Sequence, residues 1–296
     1  MILVTGGSGL VGKYLKNVIP DATFVSSADY NLMNLHEVER MMEFYSPTKV
    51  IHLAGKVGGL LDNINNPVSY LEDNIIMNTN VVKTCYNFNV QKVIAMLSTC
   101  IYPDIVDTYP LKEDDMFNGA PPLGNFQYAI AKRCMAAQIE AYNKQHNKNW
   151  LCLIPCNLYG EYDKYTEHNS HFVGALIKKI YHSDDKLEIW GTGKPLRQFM
   201  YAEDLAKIIK LVIDSNISGN YNVAPDYVHS IEEIARIALK SCNKENLEII
   251  YNESKPDGQY RKDVDSSKLL SAIGDFKFTP LDVGIKKTYD VVSKKW

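Results

Sequence analysis

A cluster of glycines near the N-terminus constrains the fold of this chain more than any other feature. Residues 2–15 read ILVTGGSGLVGKYL, so the glycines fall between a short apolar run and a helical pattern. Glycines at this spacing allow a tight turn and a close approach of the backbone to a pyrophosphate, which then lies at the helix N-terminus. The segment therefore predicts the first strand, turn and helix of a dinucleotide-binding sheet. We expect its cofactor contacts to come from Gly6, Ser8, Gly9, Leu10, Val11 and Gly12.

Short apolar runs alternate with longer amphipathic stretches through the first half of the chain. The predicted strands span 2–5, 23–26, 50–54, 93–98 and 150–155. The predicted helices span 11–18, 35–44, 71–88 and 127–145. Asn34 is the expected N-cap of the second helix, and His52, inside the third strand, is an expected core residue. This alternation is typical of an α/β fold of the Rossmann type, a doubly wound parallel sheet covered by helices on both faces.

The pattern becomes less regular after Gly160, where Tyr, His, Asn and Asp cluster as far as His171. Further helices are predicted at 172–181, 202–213 and 231–240, and a strand at 219–223. We interpret residues 1–160 as an NADP-binding domain to which residues 191–225 return. Residues 161–296 are then a smaller, interleaved lobe that binds the substrate.

Composition argues against several kinds of partner. The net charge is −3, so we expect neither a nucleic acid nor a membrane surface as a partner. No apolar run approaches the roughly 20 residues that cross a bilayer, and a first strand at Ile2 leads us to expect no signal peptide. The six cysteines are scattered and lack the spacing of metal ligands. We therefore predict free core thiols, no metal and a cytoplasmic location.

Ser98, Tyr128 and Lys132 are the residues that we expect to carry the chemistry. Tyr128 and Lys132 are four positions apart in a predicted helix, so they lie one turn apart on the same face. An ammonium group near a phenol favours the phenolate, so we expect Lys132 to lower the pKa of Tyr128 below its ordinary value of about 10. Ser98 ends a predicted strand, where ligands meet such sheets. Behind a dinucleotide-binding turn, the trio predicts hydride transfer at a carbonyl or an alcohol.

The end of the second predicted strand favours NADPH as the cofactor. Enzymes that use NAD usually have Asp or Glu there, which holds the ribose hydroxyls. This chain has Ser26 and Ser27, whose hydroxyls leave room for a 2′-phosphate, although Asp29 is close in sequence. Ala54, at the end of the third predicted strand, and Lys132 complete the predicted contacts with NADP.

Longer motifs follow the glycine turn in order and extend over essentially the whole chain. They are HLAGKVGGL (52–60), LSTCIYP (97–103), YAIAKR (128–133), PCNLYG (155–160), NSH (169–171), WGTGKPLRQFMYAEDLA (190–206) and KPDGQYRK (255–262). With these motifs the chain resembles the extended short-chain dehydrogenase/reductases, and among them the family of GDP-L-fucose synthases. The stretch Ser-Thr-Cys-Ile-Tyr-Pro, which begins at Ser98, is far more specific than the glycine turn.

The resemblance implies a role for each catalytic residue. Tyr128 would give a proton to the carbon-4 oxygen of a GDP-linked 4-keto sugar as hydride arrives from NADPH. Lys132 would hold the nicotinamide ribose, and Ser98 would bind the ketone oxygen. Cys100 and His171 match the pair that epimerises carbons 3 and 5. A thiolate and an imidazole suit that role, because they can remove a proton next to a ketone and return it on the other face.

The resemblance also implies contacts with the nucleotide-sugar and with a second copy of the chain. The sugar nucleotide would contact Asn157, Arg197 and Lys255. An arginine suits a diphosphate because its guanidinium group binds oxyanions through two parallel N–H groups. A homodimer would form through the two long predicted helices, 71–88 and 127–145.

Three functions stay open on the sequence alone. The first is an NADPH-dependent C4 reductase of a GDP-4-keto sugar that also epimerises carbons 3 and 5. The second is a monofunctional C4 reductase of a related sugar, such as a GDP-4-keto-heptose, in which Cys100 and His171 are passive. The third, a non-catalytic dinucleotide-binding scaffold, is disfavoured by the Tyr128–Lys132 pair. Residues 161–165, EYDKY, depart from the family's usual Pro-His-Asp-Asn-Phe, which bears on the identity of the sugar.

Overall fold

The computed structural model describes residues 1–165, 171–255 and 257–296. Its strands are β1 (Ile2–Thr5), β2 (Thr23–Val25), β3 (Lys49–His52), β4 (Lys92–Met96), β5 (Leu151–Pro155), β6 (Asn157–Tyr159), β7 (Lys186–Trp190), β8 (Leu196–Arg197), β9 (Phe199–Tyr201), β10 (Gly219–Val223), β11 (His229–Ser230) and β12 (Glu248–Asn252). Its α-helices are α1 (Leu10–Val18), α2 (Leu35–Tyr45), α3 (Leu60–Asn65), α4 (Pro67–Asn87), α5 (Phe126–His146), α6 (Phe172–His182), α7 (Ala202–Val212), α8 (Ile231–Ser241), α9 (Ser267–Ile273) and α10 (Leu281–Val292).

Six of these strands form a central parallel sheet in the order β10-β5-β4-β3-β1-β2. Every residue of β4 and β5 is buried, as expected for strands that are covered on both faces. Because the strands are parallel, their carboxyl ends lie at one edge, and the strand order changes direction between β1 and β3. The predicted α/β doubly wound fold is therefore confirmed, and this edge is where such sheets bind ligands.

The helices pack on the sheet in two groups. Helix α2 packs against α4, and α4 packs against α5 along much of their length. On the other side, α1 packs against α7. Because parallel crossovers are right-handed, α1 leads towards β2 on one face while α2, α4 and α5 lead in the opposite direction on the other face. The two longest helices, α4 and α5, therefore lie side by side.

The smaller lobe is built from short pairs of strands and three helices. Strand β7 pairs with β12 in parallel, and β8 pairs with β11 in antiparallel orientation. Helix α8 packs against α6 and α10. Between these segments, β6 pairs with β9, and β10 joins the central sheet beside β5. The chain thus returns to the sheet after leaving it, although the boundary at residue 160 stays a prediction.

Several elements begin or end where the sequence did not indicate. Helix α4 begins at Pro67, four residues before the predicted start, and proline at the first helical position is a common start signal. Helices α3, α9 and α10 and strands β7 and β12 were not predicted at all. Strand β12 is only half-buried, so it has no strong apolar pattern. Asn34 is the N-cap of α2, as predicted, and accepts a hydrogen bond from the backbone N–H of His36 at 3.0 Å.

The buried polar residues and cysteines largely match expectation. His52 is fully buried, with Nδ1 2.8 Å from Oγ1 of Thr5 and Nε2 3.0 Å from Oδ1 of Asn78, so it is a satisfied core residue. Burial lowers the pKa of His52 to about 4, which keeps it neutral. All six cysteines are free thiols, of which Cys134 is exposed and Cys100 half-buried.

None of the described helices is long and apolar enough to cross a membrane. The described residues also contain no cluster of potential metal ligands.

Candidate active site

The turn between β1 and α1 has the shape that a pyrophosphate requires. Gly6 has a φ of +73°, and a Cβ at this position would lie 2.7 Å from the backbone nitrogen of Ala54. A Cβ at Gly12 would lie 2.7 Å from the carbonyl oxygen of Gly6. Gly9 is the N-cap of α1 and supplies no side-chain acceptor to the first turn of the helix. The N–H groups of that turn can therefore bind an anion.

The other predicted contacts in this region differ in exposure. Ser8 is exposed and Leu10 is half-buried, so both can contact a ligand at the N-terminus of α1. Val11 is buried in the core, which leaves its backbone as the group that can take part. Ala54 follows β3 and lies against Gly6. The structure thus brings these predicted residues together at the carboxyl edge of β1 and β3.

The end of β2 brings Ser26 next to Asp29. The backbone N–H and the hydroxyl of Ser26 donate to Oδ2 of Asp29 at 2.7 and 2.8 Å. These two hydrogen bonds lower the pKa of Asp29, so a negative charge lies against Ser26. Ser27 is exposed beside it. A turn returns the chain to Ser26 within three residues, and sequence distance alone did not show which way Asp29 points.

Tyr128 and Lys132 occupy the buried face of α5, one turn apart. Tyr128 is 8% exposed and Lys132 is 2% exposed. Nζ of Lys132 lies 5.8 Å from the centre of the Tyr128 ring and donates to the carbonyl oxygen of Met96 at 2.8 Å. Met96 ends β4, two residues before Ser98. The helix and the strand end therefore place the three predicted residues in one region of the molecule.

The pKa of Tyr128 differs from the sequence-based expectation. Burial raises the pKa of Tyr128 above its ordinary value, and burial lowers the pKa of Lys132 to about 8. The expectation that Lys132 lowers the pKa of Tyr128 is therefore not met in this structure. The physical reason is that burial removes water from the phenol, while the ammonium group of Lys132 donates to the Met96 carbonyl oxygen. Tyr128 consequently carries its proton at neutral pH and can act as an acid.

Ser98 and Cys100 lie together just after β4. Ser98 is the N-cap of a short 3₁₀ helix, Thr99–Ile101, and its Oγ accepts a hydrogen bond from the backbone N–H of Cys100 at 3.3 Å. Both side chains are half-buried. The Cys100 Sγ receives a hydrogen bond from Nζ of Lys262 at 3.6 Å. A hydroxyl and a thiol are thus presented at the carboxyl end of the central sheet.

His171 is held by a carboxylate at the start of α6. Its Nδ1 lies 3.0 Å from Oδ1 of Asp163, and this hydrogen bond raises the pKa of His171. Residues 169 and 170, the other two members of the predicted NSH motif, lie outside the described residues. In the described part of the chain, His171 and Cys100 have different hydrogen-bond partners, Asp163 and Lys262. The structure therefore shows a charged partner for each residue but no contact between the two.

The three predicted substrate contacts lie in the smaller lobe and its junction with the sheet. Nδ2 of Asn157 donates to the carbonyl oxygen of Gln198 at 2.9 Å. Arg197 is half-buried, and Nη1 donates to the carbonyl oxygen of Leu196 at 2.8 Å. Burial lowers the pKa of Arg197. Because β6 pairs with β9, Asn157 lies opposite Phe199, two residues after Arg197, whereas Lys255 lies in an exposed loop.

Three further residues at this site were not singled out from the sequence. Trp190 is 48% exposed, and the ammonium groups of Lys179 and Lys255 each lie 5.4 Å from its ring centre. Lys262, inside the KPDGQYRK motif, contacts Cys100. No spacing rule could have shown the contacts of Trp190 with Lys255 and of Cys100 with Lys262, because they join segments that are far apart in the chain. The motifs that contain Trp190 and Lys262 were the available signal.

Comparisons with known proteins agree with this geometry. Residues 2–224 match the family described as the NAD dependent epimerase/dehydratase family. The chain is 37% identical to a GDP-L-fucose synthase of Dictyostelium discoideum, over 97% of this chain and 93% of the relative. It is 36% identical to a GDP-L-colitose synthase of Yersinia pseudotuberculosis, over 97% and 96%. The crystal structure of a GDP-L-fucose synthetase from Naegleria fowleri bound to NADP superposes with a TM-score of 0.89 and 33% identity, covering 98% of this chain and 91% of that one.

Proposed function

Since the chain belongs to the NAD dependent epimerase/dehydratase family, we propose that it is an NADPH-dependent C4 reductase of a GDP-linked 4-keto sugar. The relatives support this proposal, because they are named GDP-L-fucose synthase and GDP-L-colitose synthase, and the similar solved structure binds NADP. The observation that carries the proposal is the position of Tyr128 and Lys132 on the buried face of α5. Lys132 is bonded to the end of β4, close to Ser98.

The glycine turn fits NADP. Because Gly6 and Gly12 have no side chain, the backbone of the turn can pass close to a pyrophosphate. The N–H groups at the start of α1 can then bind that pyrophosphate. Ser26 and Ser27 would lie at the adenosine ribose. When bound, NADPH supplies the hydride that reaches carbon 4. Lys132, whose Nζ lies at the end of β4, would hold the nicotinamide ribose.

Tyr128 is the proton donor in this proposal. Burial keeps its phenol protonated until negative charge develops on the carbon-4 oxygen, and the phenol then gives up its proton. Ser98 would donate a hydrogen bond to the same oxygen from its Oγ. The Lys132 ammonium, 5.8 Å from the ring centre, would stabilise the phenolate that remains. A pKa of about 8 keeps most Lys132 side chains charged at neutral pH.

We further propose that the enzyme epimerises carbons 3 and 5 before the reduction. Cys100 would act as the base, with Lys262 against its Sγ. His171 would act as the acid, because Asp163 raises its pKa and so favours the imidazolium. Asp163 is the third residue of the segment 161–165 and matches the aspartate of the usual family sequence. The segment therefore keeps the carboxylate that holds His171, although its other residues depart from that sequence.

One experiment separates the candidate functions. The enzyme is incubated in D₂O with NADPH and GDP-4-keto-6-deoxymannose, and the product is analysed by NMR and mass spectrometry. We expect NADPH oxidation together with deuterium at carbons 3 and 5, and we expect Cys100→Ser to lose the deuterium while Cys134→Ser keeps it. Reduction without deuterium in the wild-type enzyme would identify a monofunctional C4 reductase. An absence of NADPH oxidation with a panel of GDP-4-keto sugars would reject the reductase.

We also propose that two copies of the chain associate through α4 and α5. These helices lie side by side, and their outer faces carry exposed apolar or small side chains, among them Val68 and Ile76 on α4 and Cys134 and Ala137 on α5. A long helix with apolar residues on both its inner and its outer face is typical of an element that is buried on both sides. A second copy would cover the outer faces and form a four-helix contact.

A further inference from the structure

The contact between Lys262 and Cys100 joins residues 162 positions apart. Nζ of Lys262 donates to Sγ of Cys100 at 3.6 Å, and both side chains are half-buried. A lysine at the surface usually moves through many rotamers, so a contact of this kind has consequences only if the backbone holds the ammonium group in place.

The backbone around Lys262 is held on both sides. The residue before it, Arg261, forms a bridge with Leu196, and the carbonyl oxygen of Tyr260 accepts a hydrogen bond from the N–H of Leu196 at 2.8 Å. The residue after it, Asp263, accepts a hydrogen bond at its carbonyl oxygen from the N–H of Leu111 at 2.9 Å. Lys262 therefore projects from a segment that two other parts of the chain fix in position.

The neighbouring charges leave Lys262 available to the thiol. Arg261 is committed to the carboxylate of Asp263, at 2.6 and 3.0 Å. Among the ion pairs of the described residues, none involves Lys262. The other groups that face Cys100 are Arg197, from β8, and Tyr128, from α5. Arg197 already donates to backbone carbonyl groups, so Lys262 is the cation in contact with Sγ.

We propose that Lys262 is a positioning residue that holds Cys100 as the thiolate base of the epimerisation. This inference rests on the proposed function, and it identifies the group that keeps the base of the epimerisation, Cys100, in its thiolate form. In the step, the C–H bond next to the ketone breaks, the S–H bond of Cys100 forms, and the electron pair moves to the ketone oxygen. The His171 imidazolium then returns a proton to the opposite face of that carbon. The thiolate is the reactive form of cysteine, and an adjacent ammonium group favours it.

The test measures the reactivity of the thiol, without substrate or cofactor. The full-length enzyme is treated with iodoacetamide, and the alkylation of each cysteine is followed by mass spectrometry in the wild type, Lys262→Met and Lys262→Arg. We expect Lys262→Met to slow the alkylation of Cys100 at neutral pH by about tenfold, or about 1.4 kcal/mol, because the variant removes the positive charge that favours the thiolate. Lys262→Arg keeps the charge and should retain most of the rate.

Cys134 is the internal control, because it is exposed on α5 and far along the chain from Lys262. Its alkylation rate should be unchanged in both variants. Equal rates for Cys100 in the wild type and Lys262→Met would overturn the proposal.

The kinetic readout separates this role from binding of the nucleotide. With substrate, Lys262→Met should reduce deuterium incorporation at carbons 3 and 5 through kcat. A higher KM with unchanged alkylation of Cys100 would instead show that Lys262 binds the nucleotide and would reject the proposal. A wild-type enzyme that reduces the sugar without any deuterium incorporation would refute the epimerase, while the alkylation rates would still report the effect of Lys262 on the thiol.

Discussion

Tyr128 is the residue whose environment differs most from what its neighbours in sequence suggest. Burial raises its pKa, and the nearby ammonium group of Lys132 is bonded to a carbonyl oxygen. A phenol with a raised pKa keeps its proton until an alkoxide needs it. We therefore expect Tyr128→Phe to lower kcat for NADPH oxidation by about 10² to 10⁴, while the affinity for NADP, measured by fluorescence quenching, changes little.

The control is Tyr142→Phe on the same helix. Tyr142 packs against Tyr86 and Trp150, away from Lys132, and its loss should leave the turnover rate unchanged. A Tyr128→Phe enzyme with wild-type turnover would show that another group, or water, donates the proton.

The pair of His171 and Asp163 should make stability depend on pH. Asp163 raises the pKa of His171 above its ordinary value of about 6.5. The stabilisation is therefore complete below that value and is lost as the pH rises through the raised pKa. We expect Asp163→Asn to lower Tm more at about pH 6 than at about pH 9, because asparagine can still accept a hydrogen bond from a neutral imidazole. An equal loss of Tm at both pH values would contradict this account.

The sequence predicted individual chemical groups better than their environments. Ser98, Tyr128 and Lys132 could be predicted to lie together because a helix fixes a spacing of four and a strand end fixes a location. The bond from Lys132 to Met96 and the contact of Lys262 with Cys100 depend on tertiary packing, which no local pattern encodes. The position of Asp29 depends on packing for the same reason, since the turn that returns it to Ser26 is set by three-dimensional geometry.

At the level of elements, the close packing of α1 against the glycine turn that follows β1 gives a further prediction. A Cβ at Gly12 would lie 2.7 Å from the carbonyl oxygen of Gly6 and 2.8 Å from Cα of Gly7, so α1 would have to move. We expect Gly12→Ala to destabilise the cofactor-free protein by about 1–3 kcal/mol, which is typical of overpacking, and to weaken NADP binding. Thermal unfolding and a binding titration measure the two effects.

Gly9→Ala is the matched substitution in the same turn. Its Cβ would meet only the carbonyl oxygen of Gly6, at 3.3 Å, and its backbone has an ordinary extended conformation. It should therefore lower the Tm of the cofactor-free protein less than Gly12→Ala does. An equal loss of stability in the two variants would show that the stabilising role of Gly12 is not to allow the close approach of α1 to the turn.

The helices and strands that could be predicted are those whose burial gives a regular pattern of apolar residues. Strand β1 has the predicted bounds, β4 and β5 agree within two residues, and α5 extends the prediction by one residue at each end. In contrast, β12 pairs only with β7 at the edge of the smaller lobe, so its exposed residues interrupt the apolar pattern. Helix α3 has six residues, which is too short for helical periodicity to show.

For the molecule as a whole, the active site depends on segments that the chain order keeps apart. Glu161, after β6, accepts hydrogen bonds from Tyr14 on α1 and from Tyr201 at the end of β9. The loop with Lys262 is fixed by Leu111 and Leu196 on either side of it. The cofactor turn, the central sheet and the smaller lobe are therefore joined by polar contacts near the site, and the sequence could predict the parts but not these connections.

The outer face of α4 exposes large apolar side chains, among them Val68 and Ile76. Ile76 is 44% exposed on α4, and a charge there should be tolerated by a monomer but not at the centre of a contact between two copies. We expect the wild-type protein to be a dimer and Ile76→Glu to be a monomer with an unchanged fold, as measured by light scattering and circular dichroism. Leu211→Glu is the matched control, since Leu211 is 51% exposed on α7, on the other face of the sheet, and it should leave the dimer intact. A wild-type monomer at micromolar concentration, or a dimer that survives Ile76→Glu but not Leu211→Glu, would place the contact elsewhere.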